Sequence, residues 1–159
     1  MPSPRLYPSL LLLACAVAMG TALTTQYVFG LPPCPLCIKQ RIPYLVAAVL
    51  SLVAIKAEGR VRLLLVALCG VAFLVDSGIA VFHVGVEQHW WEAACVGGEN
   101  PQAATVADLK ALLAGPPPVP CDRVPWSVFG ISMAGYNAMF AFGLALLSGW
   151  AVRQLKEGQ

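Results

Sequence analysis

Charge is what this sequence has least of. Only 11% of its 159 residues are charged, against about 25% in soluble domains. A surface that meets water on every side cannot be built from so few charges, so a single soluble domain is excluded as the working class. The net charge of +2 is small, and no run of Lys and Arg of the kind that tracks phosphates is present, which removes nucleic acid as a partner. Internal repeats are absent too, and low complexity is confined to Pro116-Pro117-Pro118. What the chain has in place of charge is apolar surface. Its residues are 58% hydrophobic, with a mean hydropathy of +0.74, which makes an integral membrane protein the class to test.

A membrane-crossing helix needs roughly 20 mostly apolar residues. Four stretches meet or approach that length, at about 8–28, 42–55, 63–86 and 129–152, which predicts an all-α bundle of four transmembrane helices in one membrane domain, 1–159. The second stretch is short unless it recruits residues before it. An even number of crossings puts both termini on one side. Lys and Arg favour the cytoplasmic side. Arg5, Lys56, Arg60, Arg62, Arg153 and Lys156 fall on one side, and Lys39, Arg41, Lys110 and Arg123 on the other. The tight Lys56–Arg62 cluster adds to the bias, so the expectation is cytoplasmic termini, with loops of about 29–41 and 87–128 facing a periplasm-like compartment. Trp90, Trp91, Trp126 and Trp150 sit at the expected boundaries, as interfacial aromatics do. A cleaved signal peptide competes for the N-terminus, with Arg5, Leu10–Leu13 and small residues near Ala18–Ala22. Against it, the apolar run continues past Gly20, and its removal would split the termini. In the second outer loop, Thr105 as N-cap, Asp108 in the first turn and the stripe Leu109, Leu112 and Leu113 predict a short interfacial helix, stopped by Gly115 and Pro116.

Six cysteines fall into two groups. Cys15 and Cys69 lie inside spans, where burial disfavours a thiolate, and read as small core residues. Cys34, Cys37, Cys95 and Cys121 fall on the outer side, and four cysteines in an oxidising compartment suggest two disulfides. Three pairings are open on paper. Cys34-Pro35-Leu36-Cys37 is a C-x-x-C whose proline favours a tight turn, which brings its ends within about 7 Å and leaves Cys95 with Cys121. Bridging a loop of about 27 residues could stabilise the fold by roughly 3.5 kcal/mol on the chain-entropy view, so a structural bond explains that pair by itself. A four-residue ring stabilises little by closure. Its usual value is redox chemistry or metal binding, and for a metal His83 and His89 could add ligands. A structural zinc site would want a second C-x-x-C, which the chain lacks.

The C-x-x-C stands just before the second span. A helix starting near Gln40 would turn its exposed N–H groups toward Cys37, and a positive helix end lowers a thiol pKa. Arg41 follows Cys37 by four residues, on the same face if helical geometry extends that far, where it could hold a thiolate or a ligand oxygen. The bland alternative is an interfacial charge that snorkels. Pro43 disfavours helix at Ile42, so the regular helix is expected to begin only there or at Pro43.

Four spans, the C-x-x-C before the second, Arg41, and a cysteine pair in the second outer loop resemble the disulfide bond formation protein B (DsbB) family. The stretches that carry the resemblance are Pro33-Cys34-Pro35-Leu36-Cys37 with Gln40-Arg41, His83 to Glu87 with Trp90-Trp91 and Cys95, Cys121-Asp122-Arg123-Val124-Pro125-Trp126, and Ser132-Met133-Ala134-Gly135-Tyr136-Asn137. The resemblance covers nearly the whole chain. It implies a protein-dithiol:quinone oxidoreductase of the bacterial inner membrane. A thioredoxin-fold dithiol partner of the DsbA type attacks the Cys95–Cys121 disulfide at Cys95. Cys121 then attacks Cys34, Cys37 is released as a thiolate beside a quinone (ubiquinone or menaquinone), and Arg41 supports that arrangement. Potentials agree with a quinone sink, because passing electrons from a partner near about −120 mV to a thiol pool near about −200 mV is uphill by roughly 3.7 kcal/mol. His83, near the outer end of span three, could bond a quinone carbonyl or simply reach water. Asp76 lies inside a span, where a carboxylate is a functional candidate by default or bonds a neighbouring helix. Glu87 and His89 read as solvated loop residues.

Two other functions compete. A quinone-linked reductase like the vitamin K epoxide reductases would carry its C-x-x-C near a late span, so the order of elements argues against it. A tetraspan structural or metal-handling protein with two inert disulfides would resist dithiol exchange.

Overall fold

The computed structural model describes residues 3–93, 95 and 119–157. Four helices dominate it: α1 (Leu6–Tyr27), α2 (Pro35–Lys56), α3 (Gly59–Glu87) and α4 (Met133–Glu157). All four are long and apolar enough to cross a membrane. The chain is therefore an all-α, four-helix, multi-pass membrane protein. The short helix expected near residue 105 lies outside the described residues.

Its apolar pattern is that of a protein dissolved in lipid. Large side chains such as Leu13, Val49, Leu64 and Leu146 point outward, while Ala47, Ala54, Ala141, Ala151, Ser51 and Ser148 are fully buried between helices. Hydrocarbon solvates leucine as well as a protein core does, so helices in a bilayer associate through small residues that let their backbones approach. Gly70 marks one such approach, where a Cβ would come within 3.1 Å of the Ser148 Cβ on α4. The third helix packs against both α2 and α4, and α1 against α2. Cys15 and Cys69 sit in this core with Leu11, Tyr44 and Phe73, and the Cys69 Sγ lies 3.4 Å from the Ser51 Oγ. Cys15→Ala should leave thiol exchange unchanged and cost about 1 kcal/mol of stability, the usual scale for a small core truncation. Melting in detergent beside a turnover assay checks both.

The second helix starts earlier than the sequence suggested. Cys34 is its N-cap, in extended conformation (φ −73°, ψ 165°), and the Cys34 Sγ accepts the Cys37 N–H at 3.2 Å. Pro35 takes the first helical position, where a missing N–H costs nothing and a fixed φ is an advantage. Pro43 lies inside the helix, as membrane helices tolerate when neighbours re-satisfy the freed backbone. The expected outer loop of about 29–41 thus contributes its last residues to the first turns of α2, and it is Cys34 that caps the positive helix end, with Cys37 one turn in. At the opposite end only Ala57 and Glu58 join α2 to α3. Arg62 closes that junction, its guanidinium donating to the carbonyls of Ala54 and Ala57, which supplies partners and positive charge where a helix C-terminus needs them.

Before α4 the chain makes a small hairpin, β1 (Ser127–Val128) with β2 (Ile131–Ser132), antiparallel, Ser127 opposite Ser132. Phe129 (φ 51°) and Gly130 (φ 78°) form its turn. Positive φ at both central residues matches the twist of a two-residue hairpin, and glycine suits the second place. Ser132 accepts the Gly135 N–H at 3.1 Å and so caps α4.

Candidate active site

At one end of the bundle Cys34, Leu36, Val86 and Cys121 are buried together, with Cys37, Ala93, Cys95 and Val119 packed around them. All four outer cysteines therefore share one apolar cluster. Cys95 and Cys121 are joined, with Cα atoms 5.5 Å apart, and the Cys121 N–H donates to the Cys95 carbonyl at 3.1 Å. Cys34 and Cys37 are free thiols with sulfurs 2.7 Å apart. The first turn of α2 places them, since N-cap and third helical position face each other across one turn.

The surroundings favour a thiolate at Cys34. The Cys37 thiol donates to it, His83 Nε2 stands 3.6 Å away, and the Cys37 N–H points at it. These bonds, the one from the Cys37 thiol foremost, outweigh burial and hold the Cys34 thiol well below the usual thiol range. In the reduced protein, alkylation of Cys34 should therefore stay nearly flat as pH falls from about 8 to about 6. An ordinary thiol near pKa 8.5 would slow about tenfold per unit over that range. Thiolate is lost only as pH falls through the lowered pKa, so any decline belongs to more acidic solution. Rates at the Cys34 peptide, read by mass spectrometry, check this.

His83 is buried on α3 and holds the centre of a polar network. Its Nδ1 is 2.9 Å from Gln40 Nε2, and its Nε2 is 4.0 Å from a Glu87 carboxylate oxygen. Gln40 Oε1 accepts from Asn137 Nδ2 at 2.8 Å, Asn137 Nδ2 also donates to Asp76 Oδ2 at 2.9 Å, and Tyr44 donates to Asn137 Oδ1 at 2.8 Å. Glu87, expected to be solvated, is buried and accepts from the Ser132 hydroxyl. The helix continues through Glu87 and the hairpin folds over it, which sequence reasoning missed. Gln40, Tyr44 and Asn137 went unremarked as site residues, although an Asn and an Asp inside apolar helices are themselves a signal. Arg41 turns to α1, where it donates to Gln26 Oε1 at 2.7 Å and to the Ala22 carbonyl at 3.5 Å. Two bonds leave this five-donor group with spare donors. His89 is exposed, with φ 57°.

Cys34, Cys37 and His83 are close enough together to suggest a metal seat. The sulfur spacing argues otherwise. A tetrahedral zinc with Zn–S bonds of about 2.3 Å holds its thiolates about 3.8 Å apart, whereas these stand at 2.7 Å. Chemically this is a dithiol whose sulfurs are in contact, packed beside a closed disulfide.

Residues 4–151 match the family model described as Disulfide bond formation protein DsbB. The chain is 33% identical over 156 residues to disulfide bond formation protein B of Chromohalobacter salexigens, with 90% of each chain covered. It is 31% identical over 157 residues to disulfide bond formation protein B of Acinetobacter baumannii, with 93% of this chain and 90% of the relative covered. An uncharacterized protein of Rickettsia prowazekii is 27% identical over 138 residues, 84% of this chain and 78% of the relative. No solved structure matches the chain.

Proposed function

Because the chain belongs to the DsbB family and is a disulfide-forming membrane oxidoreductase, we propose that it reoxidises a DsbA-type dithiol partner in the periplasm and delivers the electrons to the quinone pool. The observation that carries this reading is the shared cluster of the two cysteine pairs, one oxidised and one reduced with an activated sulfur.

In this reading both termini are cytoplasmic, the membrane is the bacterial inner membrane, and the cysteine cluster faces the periplasm. A partner thiolate attacks Cys95, which forms the mixed disulfide and frees Cys121. Cys121 attacks Cys34 of the oxidised C-x-x-C and displaces Cys37. When the partner's second thiol releases Cys95, the Cys95 thiolate attacks Cys121. The loop disulfide is restored and Cys34 leaves as a thiolate. A low leaving-group pKa speeds that last exchange, and the bonds to Cys34 supply it. The chain then stands with one disulfide and one dithiol, the state described above.

The residues at the dithiol suit a quinone. Cys37 is only half-buried, and Arg41 and His83 carry donors suited to carbonyl oxygens. A bound quinone would take up the two electrons that the pair gives up on closing to a disulfide, with one proton from Cys37 and the second from solution, because Cys34 is already a thiolate. The chain's own part is to hold Cys37 beside Cys34, keep a proton on Cys37 until closure, and exclude water by the packing of Leu36 and Val86.

The test is anaerobic mixing of the purified protein, a reduced DsbA-type partner and a ubiquinone or menaquinone analogue. Quinone absorbance and partner thiols are followed together. Stoichiometric loss of both is the expected result. No quinone reduction with either analogue would sink the reading.

A further inference from the structure

The hydrogen bonds that run inward from Cys34 have a direction. We propose that Asp76 and Asn137 are positioning residues which lock neutral His83 in the tautomer protonated at Nε2, so that it aims an N–H at Cys34. The proposal deepens the reading above, since it matters for turnover only if Cys34 is the sulfur that leaves.

Asp76 is fully buried in α3 and has Oδ2 facing Asn137 Nδ2. The other oxygen, Oδ1, has no partner among the described residues. With the carboxylate ionised, or with its proton on the unpartnered Oδ1, Oδ2 is the acceptor of the Asn137 Nδ2–H bond observed here. Asn137 must then present its NH2 group on that side. The same NH2 reaches Gln40 Oε1, while Asn137 Oδ1 accepts from the Tyr44 hydroxyl. With its oxygen occupied, Gln40 offers Nε2 to His83 Nδ1. A donor opposite Nδ1 requires a lone pair there, so the ring proton of neutral imidazole sits on Nε2, 3.6 Å from the Cys34 sulfur. Every amide in the chain uses both its ends.

Turning the amides round shows why the lock needs Asp76. A flipped Asn137 would set its oxygen against Asp76 Oδ2, two acceptors about 2.9 Å apart with no hydrogen between them. Without Asp76 that objection disappears, because the Tyr44 hydroxyl accepts as readily as it donates. Gln40 would follow, its oxygen would face Nδ1, the ring proton would move to Nδ1, and Cys34 would meet a lone pair. The lock thus joins α2, α3 and α4 and reaches the sulfur from a carboxylate three side chains beyond His83. Besides His83, the titratable groups facing Cys34 are Cys37 from α2 and Glu87 from α3. The neighbouring Cys121 is tied in its disulfide.

The experiment uses full-length protein in detergent, reduced with dithiothreitol, with no quinone or partner present, and 15N-labelled at histidine. The chain holds 2 histidines, so His89→Gln assigns the spectrum. Wild type should show His83 with Nδ1 bare and Nε2 protonated. Asp76→Leu should move the proton to Nδ1 and raise by about one unit the pH at which Cys34 alkylation falls off, which is about tenfold in rate on the acid side of that fall. If Asp76→Leu does not fold, Asn137→Leu breaks the same chain one link closer and should have the same two effects. A wild-type proton on Nδ1, or an unchanged tautomer in whichever variant folds, overturns the lock. A wild type with the expected tautomer that reduces no quinone would sink the oxidase reading and leave the lock standing.

Discussion

Replacing Cys37 by alanine is expected to abolish turnover while sparing one round of thiol exchange. The Cys95–Cys121 disulfide can accept two electrons from a reduced partner by itself, because both its sulfurs and the loop that holds them are untouched. The next step needs a second disulfide within reach of Cys121. With Cys37 gone, Cys34 is a lone thiol that offers none. Each chain should therefore oxidise about one equivalent of partner in a burst and then stop, the pattern of a relay cut after its first covalent step. Steady-state quinone reduction should fall by about 10⁴-fold or more, the scale on which loss of a reacting nucleophile acts. Alkylation of partner thiols gives the burst amplitude, and quinone absorbance gives the turnover. A Cys37→Ala protein that kept turning over would remove the C-x-x-C from the electron path. One that lacked even the burst would mean that the loop pair does not meet the partner independently.

How far such steps could be read from sequence depended on the range of the interaction involved. The four helices were legible because lipid imposes a long, contiguous apolar signal that survives any detail of packing. The start of α2 was not. In the sequence Pro43 reads as a helix breaker, its usual role in water, whereas Pro35 is the helix starter, and only the extended Cys34 with its sulfur accepting the Cys37 N–H distinguishes the two. That shift changes the chemistry. It moves the positive end of the helix, and with it the activated sulfur, from Cys37 to Cys34.

The four outer cysteines could be grouped by topology alone, since span order puts them on one side. Their common burial with Val86 and Leu36 could not, because it depends on how Cys95 and residues 119–132 sit against the end of α3. Glu87 escapes local reading for the same reason. A carboxylate two residues before a histidine and two tryptophans looks solvated until the 127–132 hairpin covers it. The network behind His83 lies beyond any local pattern. Gln40, Asp76 and Asn137 come from three helices, and nothing in their spacing says that one amide bridges the other two. The available hint was energetic: polar side chains inside apolar helices must find partners there.

The fold-back at the end of α3 carries the second large expectation, at Gly85. The Trp90 N–H bonds the Gly85 carbonyl at 2.8 Å. Trp91 then lies flat on Phe82, ring centroids 5.6 Å apart, and donates its indole N–H to the Phe82 carbonyl at 2.9 Å. The indole occupies the space a side chain at position 85 would need, since a Cβ there would stand 2.0 Å from one ring carbon and 2.3 Å from another. Both neighbours are ring atoms held by stacking and by a hydrogen bond, so Gly85→Ala must expel the ring. The aromatic pair is worth about 0.5–1.5 kcal/mol beyond its area and the hydrogen bond about as much, so a loss of about 1–3 kcal/mol is expected. Trp91 stands four residues before Cys95, and its loss frees the segment that sets Cys95–Cys121 against Cys34. Misplacing reacting groups by about 1 Å can cost on the order of 100-fold, so transfer between the two pairs should slow about 10- to 100-fold in single-turnover mixing. Low-pH alkylation of Cys34 should barely change, because the bonds that activate it come from Cys37 and His83 and involve no part of Trp91. A Gly85→Ala protein that exchanged at the wild-type rate would show that Trp91 covers the membrane surface without holding the loop. One that lost the Cys34 thiolate as well would show that the fold-back also supports the α2–α3 contact beneath it.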